Sequence, residues 1–151
     1  MEIERKYLCD EVDFDLSKYP YKDIDQAYIS IKPTIRIRKQ NDEYVLTIKG
    51  KGSIAREEYE LMISKKEYED LLKKVETKIV SKRRYFIPLE NGYTAEYDIY
   101  KGELTGLYTV EVEFKSMEDS EKFIPPKWFK EEVSEDGRYK NTVLALYGLP
   151  K

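Results

Sequence analysis

Two kinds of charged doublet recur along this chain, each with one residue between its members. The acidic ones are Glu2/Glu4, Glu58/Glu60, Glu96/Asp98 and Glu111/Glu113; the basic ones are Arg36/Arg38 and Lys82/Arg84, with Lys6 and Lys49 on the same parity. Carboxylate oxygens are hard donors suited to divalent cations. Guanidinium and ammonium groups match a polyanion such as phosphate. In a β-strand, residues two apart share a face at about 6.6 Å, where like charges repel by about 0.6 kcal/mol in water and about 2.5 kcal/mol at an effective dielectric of 20. A face that merely met water would gain nothing from six such doublets, whereas opposite charges across strands would stabilise it. Ligands that supply the missing counter-charges account for the pattern: cations for the carboxylates, phosphate for the bases.

The composition narrows the chemistry further. There is no histidine, which removes serine–histidine triads, histidine bases and His-ligated zinc. Cys9 is the only cysteine, so no internal disulfide framework exists and any metal must be held mainly by oxygen, as magnesium, manganese or calcium are. The 27 basic residues sit in a chain of net charge −3, giving no global case for nucleic acid. No apolar run approaches the roughly 20 residues of a membrane helix, and Met1 leads into Glu-Ile-Glu-Arg-Lys rather than a signal peptide, so the cytoplasm is the expected address. At 151 residues, 40% hydrophobic and 38% charged, the chain suits a single globular domain.

The elements that must position these residues are mostly strands. Alternation predicts eight, at about 1–8, 26–32, 34–40, 43–50, 54–63, 78–88, 93–100 and 107–115. Asn41-Asp42, Gly50 to Ser53 and Glu90-Asn91-Gly92 are hairpin-like connections, so neighbours should run antiparallel. Ser64 and Glu67 form a capping box for a helix at 65–76. A second helix begins near Ser116 and ends before Pro125-Pro126, which can open a short helix through Trp128, Phe129 and Glu132. A last helix runs from about 139 to 147, with Gly148 as its stop.

Splitting each strand by parity separates the charged doublets from an apolar list: Ile35, Ile37, Tyr44, Leu46, Ile48, Tyr59, Leu61, Ile63, Tyr97, Ile99, Val110, Val112 and Phe114. Eight antiparallel strands suffice to close a barrel that admits a small ligand. The expected fold is therefore α+β: a closed eight-stranded antiparallel β-barrel with a charged bore, its apolar outer face covered by helices.

The ordered series Glu2-x-Glu4-x-Lys6, Arg36-Ile37-Arg38, Thr47-Ile48-Lys49-Gly50, Arg56-Glu57-Glu58-Tyr59-Glu60, Lys82-Arg83-Arg84-Tyr85, Glu96-Tyr97-Asp98 and Val110-Glu111-Val112-Glu113-Phe114 resembles the CYTH, or triphosphate tunnel metalloenzyme, family across nearly the whole chain. Arg138-Tyr139-Lys140-Asn141 resembles the family's stretch ahead of a helix that packs against one tunnel mouth.

The resemblance implies a metal-dependent triphosphatase using one or two Mg²⁺ or Mn²⁺ ions. Glu2, Glu4, Glu111 and Glu113 would hold metal, with Glu58, Glu60, Glu96 and Asp98 as further ligands or water-mediated contacts. Arg36, Arg38, Lys49, Lys82 and Arg84 are candidates for a phosphate clamp, joined more weakly by Arg56 and Arg138. Lys6 and Tyr28 share the inward parity and could set which phosphate faces water; Glu4 is the acid whose loss should abolish turnover. With no recognisable base pocket, inorganic tripolyphosphate is the first expectation for substrate. A nucleoside triphosphatase, an adenylyl cyclase or a thiamine triphosphatase stay open within the family, and a non-catalytic polyphosphate sensor outside it. Neither nucleic acid nor membrane is an expected partner, and the chain would be a monomer or homodimer.

Overall fold

A computed structural model describes residues 1–151. Ten strands form one antiparallel sheet: β1 (Glu2–Cys9), β2 (Tyr21–Ser30), β3 (Thr34–Gln40), β4 (Glu43–Lys49), β5 (Ala55–Arg56), β6 (Glu58–Ile63), β7 (Val80–Pro88), β8 (Thr94–Tyr100), β9 (Tyr108–Glu113) and β10 (Phe129–Glu132). Three helices accompany it: α1 (Lys65–Leu72), α2 (Met117–Lys122) and α3 (Asn141–Tyr147). No helix is long and apolar enough to cross a membrane.

The strand order is β10-β1-β9-β8-β7-β2-β3-β4-β6, with β5 paired to β1. The expected eight strands thus become ten, and no continuous ladder closes the sheet. The segment expected as one strand at 54–63 breaks at Glu57. Its first part pairs Ala55 with Ile3 and Arg56 with Glu2, and its second pairs Glu58–Ile63 with β4. The chain itself steps across the gap between the two ends of the sheet, and a backbone bond from Glu4 N–H to Ile54 O, 2.9 Å, fixes the step.

Residues around 128–132 were expected to be helical and instead form β10, where Tyr7 pairs with Glu132 and Cys9 with Phe129. The reason is the free edge of β1: Phe129 packs on Tyr7 at 5.0 Å between ring centroids, and Arg5 holds Glu132 through bonds of 2.7 and 2.9 Å. Trp128 packs edge-on against Phe14, Tyr97 and Phe129.

The parity split holds in space. Tyr97, Val110, Val112 and Phe114 are buried on the outer face with Tyr7, Phe123 and Phe129, forming the larger apolar core beneath α2 and β10. A second core, around Tyr28, Val80, Tyr100, Leu104, Leu107, Leu144 and Ala145, seats α3 over one end of the sheet. The helical cover is incomplete, however. Ile48, Tyr59 and Leu61 on the outer face of β4 and β6 are 41%, 66% and 61% exposed, because α1 spans only eight residues and packs toward β2, β3 and β4.

Candidate active site

The inner face encloses a cavity of about 360 Å³ lined by 26 residues, only five of them hydrophobic. Such a composition inverts the usual small-molecule pocket, which is mostly apolar. Of the residues singled out from sequence, Glu2, Glu4, Lys6, Tyr28, Arg36, Arg38, Lys49, Arg56, Glu58, Glu60, Arg84, Glu96, Glu111 and Glu113 line it. They converge because β1, β3, β4, β6, β7, β8 and β9 each turn one parity inward and neighbouring strands are in register. Glu4 faces Glu113, Lys6 faces Glu111, and Lys49 faces Glu58.

Three residues fall outside the lining. Asp98 is fully buried, and both its oxygens are occupied: Arg84 Nε reaches Oδ1 at 2.7 Å, Arg84 Nη2 reaches Oδ2 at 2.8 Å, and Lys82 Nζ lies 2.8 Å from Oδ2. Both oxygens of this acid are thus engaged by basic side chains. Lys82 is likewise enclosed, its ammonium beneath the Tyr100 ring at 5.3 Å, and burial pushes it down to about 7 against the pull of Asp98. Arg138 turns to Asp136, at 2.6 Å, with most of its side chain in solvent.

The sequence pattern left all counter-charges to ligands, yet the structure supplies a good part of them internally. Glu2 receives Lys49 at 3.1 Å and Arg56 at 3.8 Å. Arg84 binds Glu96 at 2.9 Å and approaches Glu111 at 3.5 Å in addition to its grip on Asp98. Lys6 Nζ lies 3.9 Å from Glu111 and donates to the Tyr139 carbonyl at 2.7 Å. These contacts arise because doublets of opposite sign meet across strands, where residue pairing brings side chains within reach.

Two sets of charges stay uncompensated. Glu4 and Glu113 form no salt bridge, and with Glu2 they place carboxylate oxygens within 4.8 Å of one another, a spacing that a single cation could bridge. Burial first, and then the neighbouring acids Glu111 and Glu2, push Glu4 well above the usual carboxylate range. Burial with the charges of Glu96 and Glu2 raises Glu113 to about 7. Glu111 behaves oppositely. Burial would raise it, but Arg84, Lys6 and Lys82 hold it well below the ordinary value.

On the basic side Arg36 and Arg38 have no carboxylate partner. Arg36 Nη2 donates to Thr47 Oγ1 at 3.2 Å while its buried Nε has no partner at all. Arg38 donates twice to the Gln26 side-chain oxygen, at 3.0 and 2.7 Å. Burial, reinforced by Arg36 and Arg84, lowers Arg38 to about 9.

Sequence reasoning missed several lining residues. Lys22 and Ile24 escaped because β2 begins at Tyr21, five residues before the expected start; Tyr21-Lys22-Asp23-Ile24-Asp25 already alternates and could have shown it. Gln40, Phe86 and the segment Tyr139–Thr142 also line the cavity. That segment is anchored by Asn141, whose side-chain oxygen accepts from Tyr100 Oη at 3.2 Å. It leads into α3 at one end of the cavity, as the resemblance implied for the Arg-Tyr-x-Asn stretch.

The comparisons agree with this geometry. The chain is 43% identical over 150 residues to the inorganic triphosphatase of Nitrosomonas europaea, covering 96% of this chain and 97% of the relative. It is 35% identical over 149 residues to the inorganic triphosphatase of Acetivibrio thermocellus, covering 95% and 92%. Among solved structures, the crystal structure of the inorganic triphosphatase NE1496 superposes with a TM-score of 0.73 at 37% identity, covering 99% of this chain and 97% of the other. The CYTH domain profile matches residues 1–139, and with the charged inner face of the sheet in place the chain belongs to the CYTH domain family.

Proposed function

We propose that the protein is a metal-dependent hydrolase that cleaves inorganic tripolyphosphate to pyrophosphate and phosphate. The observation that carries the reading is the division of one polar cavity into a basic wall with two arginines lacking acidic partners and an acidic wall with carboxylates lacking basic ones. A triphosphate with a bound cation complements both walls at once. Similarity along the whole chain to two inorganic triphosphatases supports the same substrate class.

Glu2, Glu4 and Glu113 fit a hard divalent cation, Mg²⁺ or Mn²⁺: the donors are all oxygen, they lie close together, and two of the three have no cation of their own. Glu58, Glu60 and Glu96 line the same cavity and would make water-mediated contacts. When bound, the metal supplies positive charge against phosphate oxygens and lowers the proton affinity of water.

The chain's own residues do the rest. Arg36 and Arg38 grip phosphate oxygens, and Lys49 and Arg56 add charge where the two walls meet at Glu2. Held by these groups, the terminal phosphorus lies in line between water and the bridging oxygen; water adds, the bridging P–O bond breaks, and pyrophosphate leaves with its charge taken up by the arginines. Acidic-wall carboxylates, Glu4 first, orient the water and accept its proton. Lys6, opposite Glu111, and Tyr28, opposite Arg36, line the same cavity and set which end of the chain of phosphates faces the water. Arg84, already surrounded by three carboxylates, chiefly fixes Glu96 and Glu111.

Phosphate release from tripolyphosphate, ATP and thiamine triphosphate, each with Mg²⁺ and with Mn²⁺, tests the reading. Turnover is expected to be greatest with tripolyphosphate and to vanish with chelator. A clear preference for ATP overturns the substrate assignment, and tight binding with no release of phosphate from any of the three overturns catalysis.

A further inference from the structure

The cavity contains two chemically different kinds of arginine. Arg84 is held by carboxylates on three sides, through Asp98, Glu96 and Glu111. Arg38 is half-buried, and its only protein partner is an uncharged amide: the Gln26 oxygen accepts from Nε at 3.0 Å and from Nη2 at 2.7 Å. Gln26 is itself fully enclosed and is absent from the cavity lining, so it touches Arg38 from behind and cannot reach a ligand. Its other end points to Tyr28, with Nε2 3.4 Å from the phenolic oxygen. Arg38 and Gln26 are direct cross-strand partners on β3 and β2, so the contact is built into the strand register.

A carboxylate at this place would hold the guanidinium equally well and is the usual partner for a buried arginine. It would also cancel the charge. An amide oxygen fixes the Nε and Nη2 edge of the guanidinium, leaves Nη1 free, and leaves the full positive charge uncancelled. We propose that Gln26 is a positioning residue that orients Arg38 toward the substrate while keeping it unneutralised, so that anion affinity in the basic wall depends on residue 26 being neutral. The inference rests on the cavity being the triphosphate site and adds to it the residue that sets the strength of the clamp.

Two substitutions separate the halves of the proposal. Gln26→Glu keeps an acceptor against Arg38 but adds a charge; it is expected to raise the KM for tripolyphosphate about tenfold or more while kcat changes less. Gln26→Leu keeps the size and removes the acceptor; the Arg38 Nε–H cross-peak in a nitrogen-edited NMR spectrum is expected to shift and to exchange faster with water, with KM also raised. Pyrophosphate binding without metal, measured by calorimetry, should weaken in both variants.

An unchanged KM and unchanged pyrophosphate affinity in Gln26→Glu overturns the charge argument, and an unmoved Arg38 cross-peak in Gln26→Leu overturns the positioning role. If Gln26→Leu does not fold, the isosteric Gln26→Glu still decides through KM and pyrophosphate binding. If the wild-type protein released no phosphate from tripolyphosphate, the functional reading would fall, while the cross-peak and pyrophosphate measurements would still judge Gln26.

Discussion

Glu4 and Arg138 illustrate how little residue type alone says about role. Both were candidates on sequence, but one stands in the cavity beside Glu2 and Glu113 while the other lies in solvent against Asp136. Replacing Glu4 by Gln removes a charge from the cation-holding set without changing its volume. The expected outcome is a fall in kcat of about a hundredfold or more with tripolyphosphate binding retained, read by steady-state kinetics and calorimetry. Arg138→Ala serves as the comparison: with its guanidinium outside the cavity, turnover and KM should stay within about twofold of wild type. The candidate acids could be found from their spacing. Which of them were free could not, because the partners of Asp98 depend on the register of β7 against β8, and those of Glu111 come from β1 and β7.

The turn between β4 and β5 matters more than its length suggests. Gly52 has φ +125°, and a Cβ built there would stand 2.2 Å from the Ala55 carbonyl oxygen. This turn presents the Ile54 carbonyl to Glu4 N–H and leads into the two residues that pair with β1, bringing Arg56 to Glu2. Gly52→Ala should therefore destabilise the fold by about 1–3 kcal/mol through backbone strain and the clash. A lowered melting temperature accompanied by reduced turnover is the result expected. Most elements were legible where a local rule sufficed: β3 and β4 match their sequence bounds closely, and Ser64 and Glu67 do form the capping box of α1. Local rules failed at β10, whose strand conformation is imposed by the open edge of β1, and at Glu57, where the chain changes pairing partner.

For the whole molecule, the acids lining the cavity make stability and cation binding depend on pH in opposite senses. Glu113 is raised to about 7 by burial and by neighbouring acids, and Glu2, Glu4 and Glu96 are raised as well, burial being the largest cause in each. A carboxyl whose folded pKa exceeds its unfolded one binds more protons when folded, so its contribution is complete below about 4.5 and disappears as pH rises through about 7. Glu111 and Asp98 are lowered by basic neighbours despite burial, and their contribution is lost only in stronger acid. The metal-free protein should consequently show a melting temperature that falls between about pH 5 and 7, above which Lys82, lowered to about 7, begins to act in the opposite sense. Divalent cations need the ionised carboxylates, so their binding releases protons and their stabilising effect should grow over the same interval. Melting curves with chelator and with added Mg²⁺ or Mn²⁺ check both trends; a metal-free protein that becomes steadily more stable toward pH 7 would contradict the assignment.

By itself the sequence determined the two-faced strands, the mainly oxygen donor chemistry and the like-signed acidic and basic doublets, because period-two alternation and residue type are local properties. Tertiary structure alone decided which charges cancel one another and which are left for a ligand. That outcome depends on strand register, which residue type does not fix: Arg84 opposite Asp98 across β7 and β8 becomes neutralised, whereas Arg38 opposite Gln26 across β3 and β2 does not. It also decided how the sheet ends meet, since the two residues of β5 reach β1 only once every intervening strand is in place.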